Sequence, residues 1–310
     1  MRKRLLTWIT ITCFFSSANA QEGKLPLEME NGHLFSQWII NDSIEARVFV
    51  ESGFPKIVIN EAFARRLGLE LIPAPDSTRI RLWSSPSPYP VPYLIQDSLT
   101  VNGRKLAIDA LVVDYSAIPS WDGRDMVFPI VDLGGKVELN IKEKYMKVLP
   151  HMVNVFPGHS SFDVTTDEWT RGIYLNTTLT CYDATGTNEE LSGNFLFDLG
   201  AGNMFFINKN RSEGADFTRQ ADRMLLDPST YPKNPRTELE IIKPEKILFC
   251  GFEIPGAAIP SMKIHSSRAS DQYVGIAGNP FFRNFVVVFD FENNKFYLKP
   301  HSGIIKMPEN

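Results

Sequence analysis

The chain has 310 residues, of which 36 are acidic and 32 are Lys or Arg, so its formal net charge at pH 7 is −4. This mildly acidic balance, with no block of basic residues, disfavours nucleic acid and anionic membranes as partners. The length is sufficient for one large domain or two smaller ones, each with a buried core.

The first predicted element is a secretory signal over residues 1–20. Three basic residues open the chain, an apolar run extends from Leu5 to Phe15, and small residues follow up to Ala18-Asn19-Ala20. This order of charge, apolar run and small-residue cleavage site is typical of signal peptides. The apolar run is too short to cross a bilayer. We therefore expect an exported protein, periplasmic or extracellular, whose mature part does not insert into a membrane.

Short strands dominate the rest of the chain. β-Branched and aromatic runs alternate with Gly, Asn, Asp and Pro, as in Ile57 to Ile59, Ala110 to Val113, Phe195 to Phe197 and Phe285 to Phe289. Helical patterns are few and short; one extends from Glu61 to Leu67 and ends at Gly68. The Pro-rich stretch from Ser84 to Tyr93 predicts an exposed loop or a sheet edge. The pattern indicates an all-β protein with few short helices.

An internal repeat joins two of these strands. VFVESGFPKIVIN ends at Asn60, and NFLFDLGAGNMFFIN ends at Asn208. In both segments, three apolar residues precede an acid, one further residue and a glycine, and an apolar run then closes on Ile-Asn. The acids are Glu51 and Asp198, 147 positions apart.

A second repeat follows each acid strand at a similar distance. VELNIKEKYMKVLP ends at Pro150, and VVFDFENNKFYLKP ends at Pro300, 150 positions later. Each reads as a strand, a polar tight turn and a strand. Because both repeats have nearly the same offset, we predict two lobes of similar topology over residues 21–150 and 151–310.

The repeated segments resemble the aspartic proteases, in the two-lobed, pepsin-like arrangement. FLFDLGAGN and GIAGNPFF carry the resemblance in the second lobe. In the first lobe, VFVESG and the looser WDGRDMVFPI around Gly123 carry it. The resemblance implies two β-barrel-like lobes with a cleft between them.

The resemblance also implies the chemistry of the cleft. Two facing carboxyl groups share one proton and activate a water molecule that attacks a peptide bond. Glu51 and Asp198 would be this catalytic pair, in an endopeptidase that has Glu/Asp in place of Asp/Asp. The residues that follow them, Ser52-Gly53 and Leu199-Gly200, would form the supporting turns. The implied partner is a peptide or protein substrate, no cofactor is needed, and we expect a monomer.

The sequence departs from the family pattern at both acids. The first lobe keeps a hydroxyl residue, Ser52, but has Glu51 in the place of aspartate. The second lobe keeps Asp198 but has Leu199 in the place of the hydroxyl residue. A glutamate is one methylene longer, which displaces the carboxyl group by more than about 1 Å unless the backbone retreats. Loss of one hydroxyl would remove half of the hydrogen bonds that cross-link the two turns.

Other interpretations stay open at this point. Glu51 could be a solvated acid at a strand end, and Asp198 could be a turn residue. The protein could be a catalytically silent relative whose cleft binds an extended peptide or another polymer. It could also be an unrelated exported β-protein, such as a glycan binder.

The remaining candidate residues have weaker signals. Tyr89 and Tyr93 fall where the family places the flap that covers the substrate, although packed tyrosines in a Pro-rich loop would look the same. The five histidines show no spacing typical of a metal site, so we expect no metal. Cys181 and Cys250 could form a disulfide in an oxidising compartment or remain two buried thiols.

Overall fold

The computed structural model describes residues 23–80, 88–118, 121, 123–153, 156–167, 170–209, 221–225, 238–262 and 272–306. The predicted signal over residues 1–20 lies outside these ranges. In the described part, strands predominate, and the two α-helices are α1 (Glu61–Arg66) and α2 (Asn279–Phe282). None of the described helices has the length and apolar character needed to cross a bilayer. The prediction of an all-β protein with few short helices is confirmed.

The strands fall into two series of similar order. Those of the N-terminal half are β1 (Lys24–Glu30), β2 (His33–Ile40), β3 (Ile44–Glu51), β4 (Ile57–Asn60), β5 (Ile72–Pro73), β6 (Arg79–Ile80), β7 (Tyr89–Pro90), β8 (Tyr93–Val101), β9 (Arg104–Val113), β10 (Met126–Pro129), β11 (Lys136–Asn140) and β12 (Tyr145–Leu149). Those of the C-terminal half are β13 (Ser160–Asp163), β14 (Thr165–Thr166), β15 (Ile173–Tyr182), β16 (Asn188–Asp198), β17 (Phe205–Asn208), β18 (Ala221–Leu225), β19 (Glu238–Ile242), β20 (Lys246–Phe249), β21 (Phe252–Pro255), β22 (Ile259–Met262), β23 (Gly275–Gly278), β24 (Phe285–Asp290), β25 (Lys295–Pro300) and β26 (Ile305–Lys306). Short 3₁₀ helices cover Tyr115–Ala117 and Ile130–Leu133.

Two large sheets hold most of these strands. The first has the order β13-β25-β24-β11-β12-β1-β2-β3-β10-β4-β9-β8-β5, so strands from both halves of the chain share it. The second follows β18-β19-β22-β17-β23-β16-β15-β20-β21-β26, with β14 paired to β15. Strands β6 and β7 form a separate two-stranded sheet. The division into lobes at residue 150 stays a prediction, because the shared sheet crosses that position.

The two repeated hairpins lie side by side in the shared sheet. β11 pairs antiparallel with β24, and the register joins Val137 to Phe289 and Leu139 to Val287. A twofold rotation that exchanges the repeats also exchanges these two pairs. Both turns are stabilised in the same way, because Asn140 Oδ1 accepts from the Glu143 amide at 3.0 Å and Asp290 Oδ1 accepts from the Asn293 amide at 3.1 Å.

The two acid strands have the same neighbours. β3 pairs parallel with β10, which pairs antiparallel with β4, and β4 pairs parallel with β9. β16, β23, β17 and β22 repeat this arrangement. Each acid ends its strand, so that Glu51 lies opposite Pro129 and Asp198 opposite Gly278.

These registers correct the sequence alignment around Gly123. Gly275 pairs with Phe195, three residues before Asp198, and Met126 pairs with Val48, three residues before Glu51. Met126 is therefore the counterpart of Gly275, and Gly123 lies in the turn before β10. Its positive φ of 70° shows why a glycine occurs there.

Successive side chains of the acid strands point to opposite faces of the sheet. One face packs in the main core, and the other packs in two smaller hydrophobic clusters. Val48 and Val50 on β3 point into the main core, whereas Phe49 points to the other face with Glu51. We call the set around Phe49 the first aromatic cluster; its buried members are Phe35, Phe49, Val58, Ile80, Val91, Val113, Tyr115, Ile118, Trp121 and Val127. The second aromatic cluster is its smaller counterpart on the Asp198 side, formed by Tyr174, Leu196, Phe206, Tyr273 and Ile276.

Cys181 and Cys250 do not form a disulfide, so the pairing considered from the sequence is corrected. Both thiols are free and buried. Cys250 follows β20 and contacts Thr177 on β15, while Cys181 lies four residues further along β15. Four residues of a strand span about 13 Å, and a disulfide needs Cα atoms within about 7 Å.

Candidate active site

The structure brings Glu51 and Asp198 together at the approximate twofold axis. The two side chains are within hydrogen-bonding contact of each other. A methyl group added to Gly53 would lie 3.7 Å from Asp198 Oδ1 and 3.8 Å from Glu51 Oε1, so this glycine borders both acids. Glu51 is only 8% exposed, which is incompatible with a solvated acid at a strand end.

The Ser52 hydroxyl links the two acid turns. It donates to the Phe197 carbonyl at 2.8 Å and accepts from the Leu199 amide at 2.8 Å. Leu199 cannot return such a bond, and its side chain is fully buried in the main core. The link is therefore made from one side only, as the departures in the sequence led us to expect.

The side chain of Asn279 also stabilises the Asp198 turn and connects it to the N-terminal half. The Asn279 amide group, at the start of α2, donates to the Leu199 carbonyl at 2.6 Å and to the Gly32 carbonyl at 2.8 Å. Gly32 lies in the β1–β2 turn, where an added methyl group would come within 2.6 Å of the Gly202 Cα. The close approach of these two glycine backbones joins the two halves beside the site.

The longer side chain of Glu51 is accommodated by Gly200. A methyl group on Gly200 would lie 2.7 Å from Glu51 Cδ and would collide with Oε2. The Glu51 carboxyl group therefore lies across the glycine backbone. Because the Ser52 bonds to the opposite turn are both intact, the extra methylene is absorbed by this space. Oε2 is buried there and, in the described part of the chain, has no hydrogen-bond partner.

The surroundings of the two acids shift their pKa values to different extents. Burial raises the pKa of Glu51 well above its ordinary value, the negative charge of Asp198 raises it further, and the charge of Arg124 opposes both. Burial also raises the pKa of Asp198, but the Gly200 amide donates to Oδ1 at 2.8 Å and favours its ionised form. We assign the shared proton to Glu51 and the negative charge to Asp198.

The surroundings of the two acids are less symmetric than their strands. Asn60 and Asn208 close the two repeats, and their amide groups donate to the carbonyls of Arg124 at 3.5 Å and Tyr273 at 3.0 Å. Arg124 and Tyr273 are thus equivalent positions. Sequence reasoning missed both residues. The registers of β10 and β23, which make Val127 the counterpart of Ile276, give the same equivalence.

His33 is a further neighbour that sequence reasoning did not identify. Its ring lies edge-on to Phe49, with 5.5 Å between ring centroids. Burial lowers the pKa of His33, while the Gly200 carbonyl counteracts this effect. The N-terminal half therefore brings a histidine and an arginine to the site, and the C-terminal half brings phenols.

The two tyrosines assigned to a flap occupy different places. Tyr89 lies on β7, which pairs with β6, and packs against the first aromatic cluster; residues 81–87 lie outside the described ranges. Tyr93 begins β8 and packs against the main core, with the Arg65 guanidinium 5.6 Å from its ring centroid. The assignment of both tyrosines to a flap therefore stays a prediction.

No group of three His, Cys, Asp or Glu side chains is placed to hold a metal ion within the described ranges. The candidate site is built from two carboxyl groups, backbone amides and the hydroxyl of Ser52.

Comparison with known proteins supports the fold but not the sequence family. No protein-family model matches the chain, and no curated protein matches it. Among solved structures, the aspartic proteinase from Irpex lacteus is similar, with a TM-score of 0.57 and 11% identity, covering 90% of this chain and 97% of that one. At this identity the similarity establishes the pepsin-like fold alone.

Proposed function

We propose that the protein is an acid-dependent endopeptidase in which Glu51 and Asp198 activate a water molecule. The proposal depends on one observation: two buried carboxyl groups, one from each repeat, meet with raised pKa values at the twofold axis of a pepsin-like fold. The fold by itself does not establish a reaction. The proposal also takes up the predicted export, which suits an enzyme that acts in an acidic medium outside the cytoplasm.

The two acids would have different roles. The Asp198 carboxylate takes a proton from the water, and the resulting hydroxide attacks the carbonyl carbon of the peptide bond. Glu51 gives its proton to the carbonyl oxygen, so a neutral tetrahedral intermediate forms. Asp198 then protonates the leaving nitrogen, Glu51 recovers a proton from a hydroxyl of the intermediate, and the C–N bond breaks.

The substrate would be a peptide in extended form. The aromatic clusters flank the acids on both sides, and Tyr89 packs at the edge of the first one. Extended peptides are bound in such sites by backbone hydrogen bonds and by side-chain pockets on alternate sides.

Hydrolysis of a mixture of extended peptides between pH 3 and pH 7, followed by mass spectrometry, tests the proposal. Cleavage is expected on the acidic side of this range, where the pair holds one proton. Asp198→Asn is expected to lower kcat by about 10²–10⁴, because an amide cannot accept the proton of the water. Equal cleavage by the wild type and Asp198→Asn across this range would contradict the proposal.

Shortening the unusual acid separates a working pair from a silent one. In a working pair, Glu51→Asp withdraws the carboxyl group from the position that Gly200 provides, and kcat is expected to fall by roughly a hundredfold for a shift of about 1 Å. An increase in kcat from near zero would instead indicate that Glu51 had disabled the pair. Peptide binding without cleavage in the wild type would then favour the silent binding cleft.

A further inference from the structure

We propose that Arg124 gives the site a preference for substrates with a glutamate or aspartate next to the cleaved bond, on the side of the N-terminal half. This inference rests on the proposed function, because it specifies the substrate of the same site. It follows from the position, the free charge and the asymmetry of Arg124.

The position of Arg124 is set by ring stacking. Its guanidinium carbon lies 4.2 Å from the centroid of the Phe49 ring and 5.2 Å from that of Phe35. Such contacts between a guanidinium and an aromatic ring are attractive and hold the planar group in place. Phe49 and Glu51 are two residues apart on β3, so their side chains share a face and are separated by about 7 Å along the strand. The guanidinium therefore lies over the ring that is one side-chain spacing of an extended strand from Glu51, and its charge acts on Glu51.

The charge of Arg124 is not neutralised by the protein. The charged or titratable groups that act on it are Tyr115, Arg47, Glu51 and Glu30. Glu30 forms an ion pair with Arg47, and Glu51 holds the shared proton. Among the residues that the structure describes, no carboxylate lies within ion-pair distance of the Arg124 guanidinium. The half-buried cation thus has its donors available to a carboxylate from outside, and the guanidinium fork suits that group.

Among the residues that the structure describes, the opposite side of the site holds an uncharged residue at the position equivalent to Arg124. The equivalent position holds Tyr273, which packs with Tyr174, Leu196 and Phe206. The two halves share one backbone arrangement, so the two sides of the acid pair differ in charge because of their side chains, Arg124 on one side and Tyr273 on the other. We therefore expect acidic selectivity at one of the two positions beside the cleaved bond and not at the other.

Matched peptides test this selectivity apart from cleavage. In each peptide, a secondary alcohol replaces the amide to be cleaved, and the residue on one flank is Glu or Gln. With the full chain at pH 5, calorimetry is expected to show the Glu peptide binding about tenfold more tightly than the Gln peptide on one flank only. The preference should fade below pH ~4, where the peptide carboxylate is protonated.

Variants identify the source of the preference. Arg124→Gln should reduce the Glu/Gln binding ratio to near one, and Arg124→Lys should keep part of it, because charge remains while the planar fork is lost. Arg65→Gln is the matched control: Arg65 also lies over an aromatic ring, that of Tyr93 at 5.6 Å, but is paired with Glu61 and does not act on Arg124. This control should keep the preference. An equal affinity for Glu and Gln peptides on both flanks, or a ratio unchanged in Arg124→Gln, would overturn the inference.

The same peptides with an intact amide separate this inference from the proposed function. Cleavage without any Glu preference would retain the peptidase and overturn the role of Arg124. A Glu preference in binding that Arg124→Gln removes, without cleavage of any peptide, would retain the acidic subsite and overturn the peptidase. Absence of binding to all the peptides would overturn both.

Discussion

The two acid turns have the same frame and different surroundings. Glu51-Ser52-Gly53 and Asp198-Leu199-Gly200 both end a central strand and are held by equivalent strand pairings. The first turn supplies the only hydroxyl, lies beside a cation and carries the longer acid. The second supplies the glycine that accommodates this acid and lies beside uncharged phenols. The backbone arrangement is alike in the two repeats, while the side chains that face the site differ and complement each other.

Gly200 and Gly53 occupy equivalent turns but have different neighbours. We therefore expect the largest difference in kcat between alanine substitutions at these two glycines. Neither glycine has a positive φ, so alanine is strained at neither position by the backbone. Gly200→Ala would collide with the Glu51 carboxyl group, whereas the methyl group of Gly53→Ala would meet ordinary contacts of 3.7 Å. Gly200→Ala is expected to lower kcat by roughly a hundredfold, and Gly53→Ala by clearly less.

A double variant shows whether the collision with Glu51 is the cause. Glu51→Asp shortens the acid, so adding Gly200→Ala to that background should cost less than it does in the wild type. Peptide hydrolysis rates at acidic pH measure both effects. Equal losses from Gly200→Ala in the two backgrounds would show that Gly200 acts through something other than the length of Glu51.

The one-sided link predicts a smaller effect, on stability. Ser52→Ala removes the hydroxyl that contacts both the Phe197 carbonyl and the Leu199 amide. Leaving these buried groups unpaired is expected to lower the free energy of unfolding by about 1–3 kcal/mol. Urea denaturation measures the change, and Ser52→Thr, which keeps a hydroxyl, should lose less. Equal losses in the two variants would show that the hydroxyl does not hold the turns together.

The smallest effect that we expect is a gain in the stability of Glu51→Gln over the wild type that depends on pH. Burial and the charge of Asp198 raise the pKa of Glu51 well above 4.5, so above that pH the folded protein holds the Glu51 proton more tightly than the unfolded chain does. The stability from this group is fully present below pH 4.5 and declines as the pH rises through the folded-state pKa. Glu51→Gln removes the ionisation and should therefore raise Tm, relative to the wild type, more at pH 7 than at pH 4.

Thermal unfolding of the two proteins at both pH values checks this difference. Glu138→Gln is the matched control, because Glu138 is a half-buried acid that hydrogen bonds to Tyr145 away from the pair. The control should show no such increase between pH 4 and pH 7. A Tm difference for Glu51→Gln that is the same at both pH values would contradict the raised pKa.

The sequence predicted the positions of the two acid turns because the repeat is a pattern within short segments. The apolar run, acid and glycine around Glu51 and Asp198 predicted two strand ends at equivalent places, and the structure has them there. The same reasoning misplaced the counterpart of Gly275, because a positive-φ turn at Gly123 and a strand start at Gly275 both use glycine for different reasons. The sequence also did not show that Tyr89 and Tyr93, four residues apart, lie on strands of different sheets, β7 and β8.

The sequence alone determined the all-β class, the duplicated strand order and the two hairpins. Strand propensity, turn residues and period-two alternation are properties of short segments and can be recognised without the rest of the chain. The tertiary structure decided everything that depends on contacts between segments far apart along the chain. Among these contacts are the Glu51 carboxyl group across Gly200 and the Ser52 link to Leu199, and the packing of distant strands also left the thiols of Cys181 and Cys250 unpaired. Arg124 belongs with them, because its stacking on Phe49 depends on the pairing of β10 with β3. No local pattern carries this information, since burial and electrostatic environment arise only when distant strands pack together.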